Sequence, residues 1–575
     1  MPNQIVVDLL DRGFRAHLAG DLLEAKSYYE QALGRDPESA DAWKAMGVLA
    51  CQQGDFIHGE KFLREATLIA PTDAEAWANH GNALRVLGRH EESAEACRRA
   101  LAINPECSTS HTNLSASYRE LGNLEDAIRH AQIAIEIDPR HVEASINLGA
   151  AFLAIGLADA AAEVFGNAIQ SNPANYAAWS NWLFSLQYSN TLREEDIAKA
   201  HRMYGSRFST PKQPSQVSKI KTIGFIGGDF NHHPVSRFLL PLFESERQHK
   251  YICIHTGFQK DEITDRFREL ADGFFDAQNR SDDEVAGIIR QAKVDLLIDL
   301  SGHTAGNRLP VLAMRPAPIQ ATWLGYSAST GLKEIDYFIG DAFALEGTDT
   351  QHFSECFLAM EGTAFHVKPS YDRTKTPKSE KFCFGSLNNP SKISDQTLCA
   401  WIEILSAAPS AEMIIKYPRF DSELPAGRIF AAFDDAGIDL SRITIIGKQT
   451  WEDHQQSIGR MNLILDTFPY NGATTTCDAL AQGVPVLTFA GNSYRSRMTA
   501  SILNAAGLQD WITESRDEYV LRAIDCAHGK VKMLPRTKLL KQISETELCQ
   551  PQNLSRNFQK VILKIEELSR SKISA

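Results

Sequence analysis

Three stretches of this chain combine residue types that can do chemistry. The first is Asp466-Thr-Phe-Pro-Tyr-Asn-Gly-Ala-Thr-Thr-Thr-Cys-Asp478. It follows an apolar run, Met461 to Leu465, that reads as a buried strand, and it leads into a helical pattern from Cys477 to Gln482. A glycine-containing turn (Gly472) with threonines Thr474 and Thr475 at a helix start makes an anion site. The N–H groups of a first helical turn are unpaired, and the helix dipole favours negative charge. Threonine hydroxyls can add bonds to phosphate oxygens. The plainer reading is an ordinary strand-to-helix turn with a threonine N-cap, and the stretch alone leaves both open. The second stretch is Gly227-Gly-Asp-Phe-Asn-His-His-Pro-Val-Ser236, a loop after the strand Ile220–Ile226. A histidine there, His233 or its neighbour His232, suits proton transfer near pH 7. The third is Ser301-Gly-His-Thr-Ala-Gly306, after the buried strand Val294–Leu300, with His303 as a second candidate.

The elements that must position these groups change character along the chain. Prolines stand at 37, 71, 105, 139 and 173, always 34 residues apart. Small residues fall twelve before each (Ala25, Gly59, Ser93, Ala127, Ala161) and alanines five before (Ala32, Ala66, Ala100, Ala134, Ala168). Gly20, Gly54, Gly88, Gly122 and Gly156 mark a turn inside each unit, and Trp43, Trp77, His111 and Trp179 recur near the starts. This pattern resembles the tetratricopeptide repeat, in which helix pairs stack into a superhelix with a concave face. Five repeats are expected over residues 6–173. Asn79, Asn82, Asn113 and Asn147, on the first helix of their pairs, are expected to line that face. There they could bind an acceptor peptide's backbone; their plainer reading is polar surface. Capping helices and a linker, Pro211-Lys-Gln-Pro-Ser-Gln216, fill 174–216.

From Ile220 short apolar strands alternate with helices, which implies a mainly parallel, doubly wound sheet. Ligands of such sheets sit beyond the strands' carboxyl ends, where the Gly/His/Ser/Thr-rich loops fall. One half spans 217–365, a polar linker 366–381, and a second half 382–575. The second half's strands are Phe382–Ser386, Glu412–Lys416, Ile443–Ile446, Leu463–Leu465 and Val486–Phe489. Two such halves with a crevice between them have the shape of a two-Rossmann, GT-B type glycosyltransferase. The amphipathic segment Asn553–Ser569 could pack back across the first half.

Composition narrows the function. At 575 residues several domains are expected, and a net charge of −13 argues against broad nucleic-acid binding. The 10 cysteines are scattered, with no CxxC pair and no Cys/His cluster at zinc spacing. That fits a reducing cytosol. The start, Met1-Pro-Asn-Gln-Ile5, has no signal-peptide pattern, and no apolar run is long enough for a membrane span.

Three motifs together resemble one family, the protein O-GlcNAc transferases and their SPINDLY relatives. They are Arg315-Pro-Ala-Pro-Ile-Gln-Ala-Thr-Trp-Leu-Gly-Tyr326, Asp229-Phe-Asn-His-His-Pro234 and Asp466–Asp478, preceded by tetratricopeptide repeats in the family's order. The resemblance implies an inverting transferase that needs no metal; no Asp-x-Asp motif is present to hold a cation on a nucleotide-sugar. It implies that Lys392, in Asn389-Pro-Ser-Lys392, neutralises the departing diphosphate. It places Thr474 and Thr475 at the diphosphate, Asp478 on the ribose and His454 against the nucleotide. His233 matches a histidine proposed as the catalytic base, though it could instead position the sugar. Thr304 and the Leu324-Gly325-Tyr326 turn would border the sugar. Two departures stand out: Asn389 and Trp451 replace a glutamine and a lysine of the animal enzymes.

The expected reaction is transfer of GlcNAc from UDP-GlcNAc to Ser/Thr hydroxyls of proteins gripped by the repeats. Ser301–Ala305 and Asp466–Tyr470 look more like SPINDLY, which implies GDP-fucose and O-fucosylation as the alternative donor chemistry. A repeat scaffold carrying an inactive transferase is the rival of another class.

Overall fold

The computed structural model describes residues 4–208, 217, 219–370 and 381–571. The expected linker Pro211–Gln216 and residues 371–380 of the second linker lie outside the described residues. The chain divides into two compact units, Met1–Ala154 with Glu163–Ala178, and Ile155–Ala162 with Trp179–Ala575.

Helix pairs build the first unit: Gln4–Leu18 with Leu22–Arg35, Ala40–Gln52 with Phe56–Ile69, Ala74–Val86 with His90–Ile103, and Ser108–Glu120 with Leu124–Ile137. The 34-residue signature has direct physical causes. Gly20, Gly54, Gly88 and Gly122 turn the chain between paired helices with φ of 75–82°, a left-handed conformation that costs glycine nothing. The alanines five before each proline are buried to 0–1 % exposure, so neighbouring helices can approach closely. Six residues after three of the prolines, a ring N–H reaches back to that proline's carbonyl. Trp43 Nε1 meets Pro37 O at 2.8 Å, Trp77 Nε1 meets Pro71 O at 3.0 Å, and His111 Nε2 meets Pro105 O at 3.1 Å. In these three repeats the proline and the ring recur together because the ring nitrogen satisfies the carbonyl of its own inter-repeat turn.

In the second unit, one sheet holds β1 (Thr222–Gly227), β2 (Lys250–His255), β3 (Gly273–Asp276), β4 (Leu296–Asp299), β5 (Ile319–Thr322), β6 (Tyr337–Asp341) and β7 (Cys356–Met360). Its order is β3-β2-β1-β4-β5-β6-β7, and every pairing is parallel. A second sheet holds β8 (Cys383–Ser386), β9 (Glu412–Lys416), β10 (Ile443–Ile446), β11 (Leu463–Leu465), β12 (Val486–Phe489) and β13 (Ile512–Thr513). Its order is β10-β9-β8-β11-β12-β13, again all parallel. In both, the first strand lies inside the sheet and the order reverses beside it, which opens a crevice at the strands' carboxyl ends.

The last helix, Gln552–Ser571, belongs by packing to the first sheet. Phe558, Val561, Ile562 and Ile565 join the core of β1, β2, β4 and β5, and Phe558 stacks on Trp323 with ring centres 5.3 Å apart. The second half therefore ends, in packing terms, before this helix. Among the described residues, no helix is long and apolar enough to cross a membrane.

Candidate functional site

Buried carboxylates at strand ends shape the loops of the second unit. Asp466, one residue past β11, is 1 % exposed. Its Oδ1 accepts from the Gly472 N–H at 2.8 Å and from Asn388 Nδ2 at 3.1 Å, and its Oδ2 accepts from Thr488 Oγ1 at 2.8 Å. These bonds fold residues 467–472 back over the strand end and present the helix Thr474–Ala481 to the crevice. Asp299, at the end of β4, does the same for its loop through the Ser301 and Gly302 N–H groups and Thr322.

The helix starts three residues earlier than the sequence pattern indicates. Its N-cap is Ala473, which has no side chain to cap it. The plainer reading, a threonine N-cap, is therefore not what the chain adopts, and the threonines are the first three helical residues. The first internal bond runs from the Cys477 N–H to the Ala473 carbonyl at 3.0 Å, so the N–H groups of Thr474, Thr475 and Thr476 precede the ladder. Thr475 Oγ1 donates to Asn388 Oδ1 at 3.1 Å, and Thr476 pairs with Thr499 at 2.9 Å. Unspent N–H groups at a helix start form an anion cradle.

Lys392 closes the short turn Pro390–Lys392. Its Nζ donates to the Asn471 carbonyl at 2.6 Å and lies 4.1 Å from the centre of the Tyr470 ring. Burial lowers its pKa to about 8, against the pull of Asp466. Asn389 is the N-cap of that turn, its Oδ1 accepting from the Ser391 N–H at 3.1 Å.

From the first sheet, His233 caps the helix Pro234–Glu244. Its Nδ1 accepts from the Val235 N–H at 3.3 Å and lies 3.6 Å from Asp229 Oδ2. An Nδ1 that accepts leaves the proton of the neutral ring on Nε2, as a donor. The ring is 42 % exposed, and its buried faces lower its pKa to about 4. Burial raises Asp229 to about 6. One turn beyond His233, Arg237 Nη1 donates to Asp478 Oδ1 of the second half at 2.8 Å. The Asp229–His233 loop and the Thr474 helix therefore face the same crevice. His454, in the helix Trp451–Arg460, is half-buried, and burial lowers its pKa. Its ring centre lies 5.5 Å from that of Trp451.

Some expected site residues are used elsewhere. His303 is 2 % exposed. Its Nδ1 meets Ser180 Oγ at 3.1 Å and its Nε2 meets the Thr330 carbonyl at 2.9 Å. Both ring nitrogens are bonded inside the protein, and burial drives its pKa well down. Tyr326 is also 2 % exposed. Its hydroxyl bonds His201 Nε2 at 2.8 Å and the Leu183 carbonyl at 3.3 Å. Thr304 Oγ1 donates to the Ser301 carbonyl at 2.8 Å. Gly325 lets the loop after β5 pass against the Leu300 carbonyl, where any Cβ would collide. In the first unit, Asn147 Nδ2 donates to the Thr112 carbonyl at 3.0 Å and Asn82 Oδ1 accepts from Arg85 at 2.9 Å. Asn113 is 7 % exposed, and Asn79 is half-buried.

The sequence pattern of Glycosyl transferase family 41 matches residues 191–371 and 370–557, more than half of the chain. The chain belongs to glycosyl transferase family 41. Tetratricopeptide-repeat patterns match 16–81, 74–107 and 113–180. A probable UDP-N-acetylglucosamine–peptide N-acetylglucosaminyltransferase SPINDLY of Solanum lycopersicum is 31% identical over 419 residues, 68% of this chain and 44% of that protein. Its Oryza sativa counterpart is 30% identical over 417 residues, 69% of this chain and 45% of that protein. The chain thus spans less than half the length of these relatives. A solved mutant O-GlcNAc transferase of Thermobaculum terrenum superposes with a TM-score of 0.80 at 25% identity, covering 88% of this chain and 99% of that one.

In this family 41 chain, sequence reasoning gave no role to Arg237 or Asp229. Asp229 stands inside a motif already singled out, and a carboxylate four residues before a histidine was the available signal. Arg237 had none, because its partner lies 241 residues away.

Proposed function

We propose that this chain is a protein O-glycosyltransferase that moves GlcNAc from UDP-GlcNAc to Ser/Thr hydroxyls, with inversion and without a metal. The observation that carries the reading is the uncapped start of the helix Thr474–Ala481 with Lys392 bonded to the loop before it. A helix terminus and an ammonium at one point are what a departing diphosphate needs. Asp478 takes the ribose and His454 the base. The Nε2–H of His233 donates to a sugar hydroxyl, which favours sugar positioning over the base role. The acceptor oxygen bonds to the anomeric carbon as the bond from that carbon to the phosphate oxygen breaks; UDP leaves, and Asp229 takes the hydroxyl proton. The plant relatives, named as probable UDP-N-acetylglucosamine–peptide N-acetylglucosaminyltransferases, support UDP-GlcNAc as donor. The first unit's helix pairs support a protein acceptor laid along the repeats, and the cysteine usage supports a cytoplasmic setting.

Thermal unfolding with UDP and with GDP tests the donor. A nucleotide that binds only the native state stabilises by about 2.7 kcal/mol at a hundredfold excess over its Kd. UDP is expected to raise the melting temperature more than GDP does. A rise with GDP alone would move the assignment to a guanine-nucleotide donor, and no rise with either would leave the transferase reading without support.

A further inference from the structure

Arg237, a first-half side chain, bonds Asp478, the group assigned to the ribose. It follows His233 by one helical turn, so both project from the start of the helix Pro234–Glu244. Packing fixes it: its guanidinium lies 5.4 Å from the centre of the Phe238 ring, and Phe238 is 2 % exposed and stacks edge-on against Phe365 at 4.8 Å. Its charge also helps to hold His366 neutral, after burial. The bond to Asp478 runs from one nitrogen to one oxygen, Nη1 to Oδ1, at 2.8 Å, with the side chains 33% and 16% exposed. A guanidinium bonded this way restrains the carboxylate's orientation through a charge-assisted hydrogen bond. The second oxygen, Oδ2, is left to accept hydroxyl protons.

We infer that Arg237 is a positioning residue for the nucleotide: it orients Asp478 so that Oδ2 accepts the ribose hydroxyls. This rests on the reading of Asp478 as the ribose acceptor. It makes ribose recognition by the second half depend on a side chain of the first, so the two halves read one nucleotide together. A pair that merely fastened the halves would affect stability and leave nucleoside affinity alone.

The test is calorimetric binding, to the full chain, of a nucleoside and its diphosphate: uridine and UDP, or guanosine and GDP if that is the base the wild type takes. Arg237→Ala is expected to weaken nucleoside and diphosphate by the same factor, about tenfold, because the ribose is common to both. Arg237→Lys is expected to recover part of the loss. In an Asp478→Asn background, Arg237→Ala is expected to cost little more, the non-additivity of residues acting through one bond. Circular dichroism and melting temperature establish that each variant is folded. A folded Arg237→Ala with unchanged nucleoside affinity overturns the inference. So does a loss confined to the diphosphate, which would make Arg237 a phosphate ligand. If the wild type binds neither pair, the transferase reading has failed and this inference falls with it.

Discussion

The Lys392 ammonium donates to the Asn471 carbonyl at 2.6 Å while resting on the face of Tyr470. One bond thus ties the turn after β8 to the loop after β11, and sets a cation beside the open helix start. Both loops follow adjacent strands of one sheet, so their separation is set by strand spacing.

Replacing Lys392 by alanine removes that cation. Losing one preorganised donor to a developing anion costs about a hundredfold to a thousandfold in kcat. Lys392→Ala is expected to show at least that loss and weaker UDP binding, with nucleoside affinity little changed. Steady-state kinetics and calorimetry check both.

The pH profile carries two further expectations. Lys392, at about 8, is charged below that pH and neutral above it, so kcat/KM is expected to fall above about 8. A bound diphosphate stabilises the ammonium, so the corresponding limb in kcat should lie higher. Its folded pKa is below its unfolded one. The native state therefore binds fewer protons between about 8 and the ordinary lysine value, and Lys392 adds stability as pH rises through that window. On the acid side, Asp229 at about 6 must be ionised to take a proton, so activity should decline below about 6. Asp229→Asn is expected to remove that limb along with most of the rate. His233, at about 4, should add no inflection near 6.5; finding one that His233→Gln abolishes would restore the histidine as the base.

Trp451 is 62% exposed beside His454, the residue proposed to take the base. Nucleotide binding is expected to quench part of the tryptophan fluorescence. The quench should vanish in Trp451→Phe with affinity reduced severalfold; an unchanged quench would place the base elsewhere.

The final helix can be tested separately. Phe558 is fully buried and stacked on Trp323, and truncating a core phenylalanine to alanine costs about 3–5 kcal/mol. Phe558→Ala is expected to lower the chain's unfolding midpoint in urea clearly. An exposed position on the same helix, such as Leu563→Ala at 62% exposure, should leave it nearly unchanged.

The repeats and most of both sheets were legible because local periodicity creates them. Short edge strands were not. Gly273–Asp276 is four residues long and Ile512–Thr513 two, too short to carry a period, and Cys356–Met360, although apolar throughout, is a five-residue edge strand with no turn signal or helix pattern to set it apart. The glycine-flanked loop holding His303 looked catalytic because it ends a buried strand. What buries the ring, Ser180 and Thr330, lies 123 and 27 residues away in sequence, and no local pattern announces that. The Arg237–Asp478 pair was hidden for the same reason, whereas the Thr474 helix start showed locally and was displaced by only three residues.

Incubating the chain with UDP-[3H]GlcNAc and cell lysate, beside Lys392→Ala, tests the central claim most directly. The expected result is tritium on protein, released by β-elimination from Ser/Thr, with wild type far above the variant. Neither labelled protein nor sugar-nucleotide hydrolysis, or equal labelling by Lys392→Ala, would contradict it.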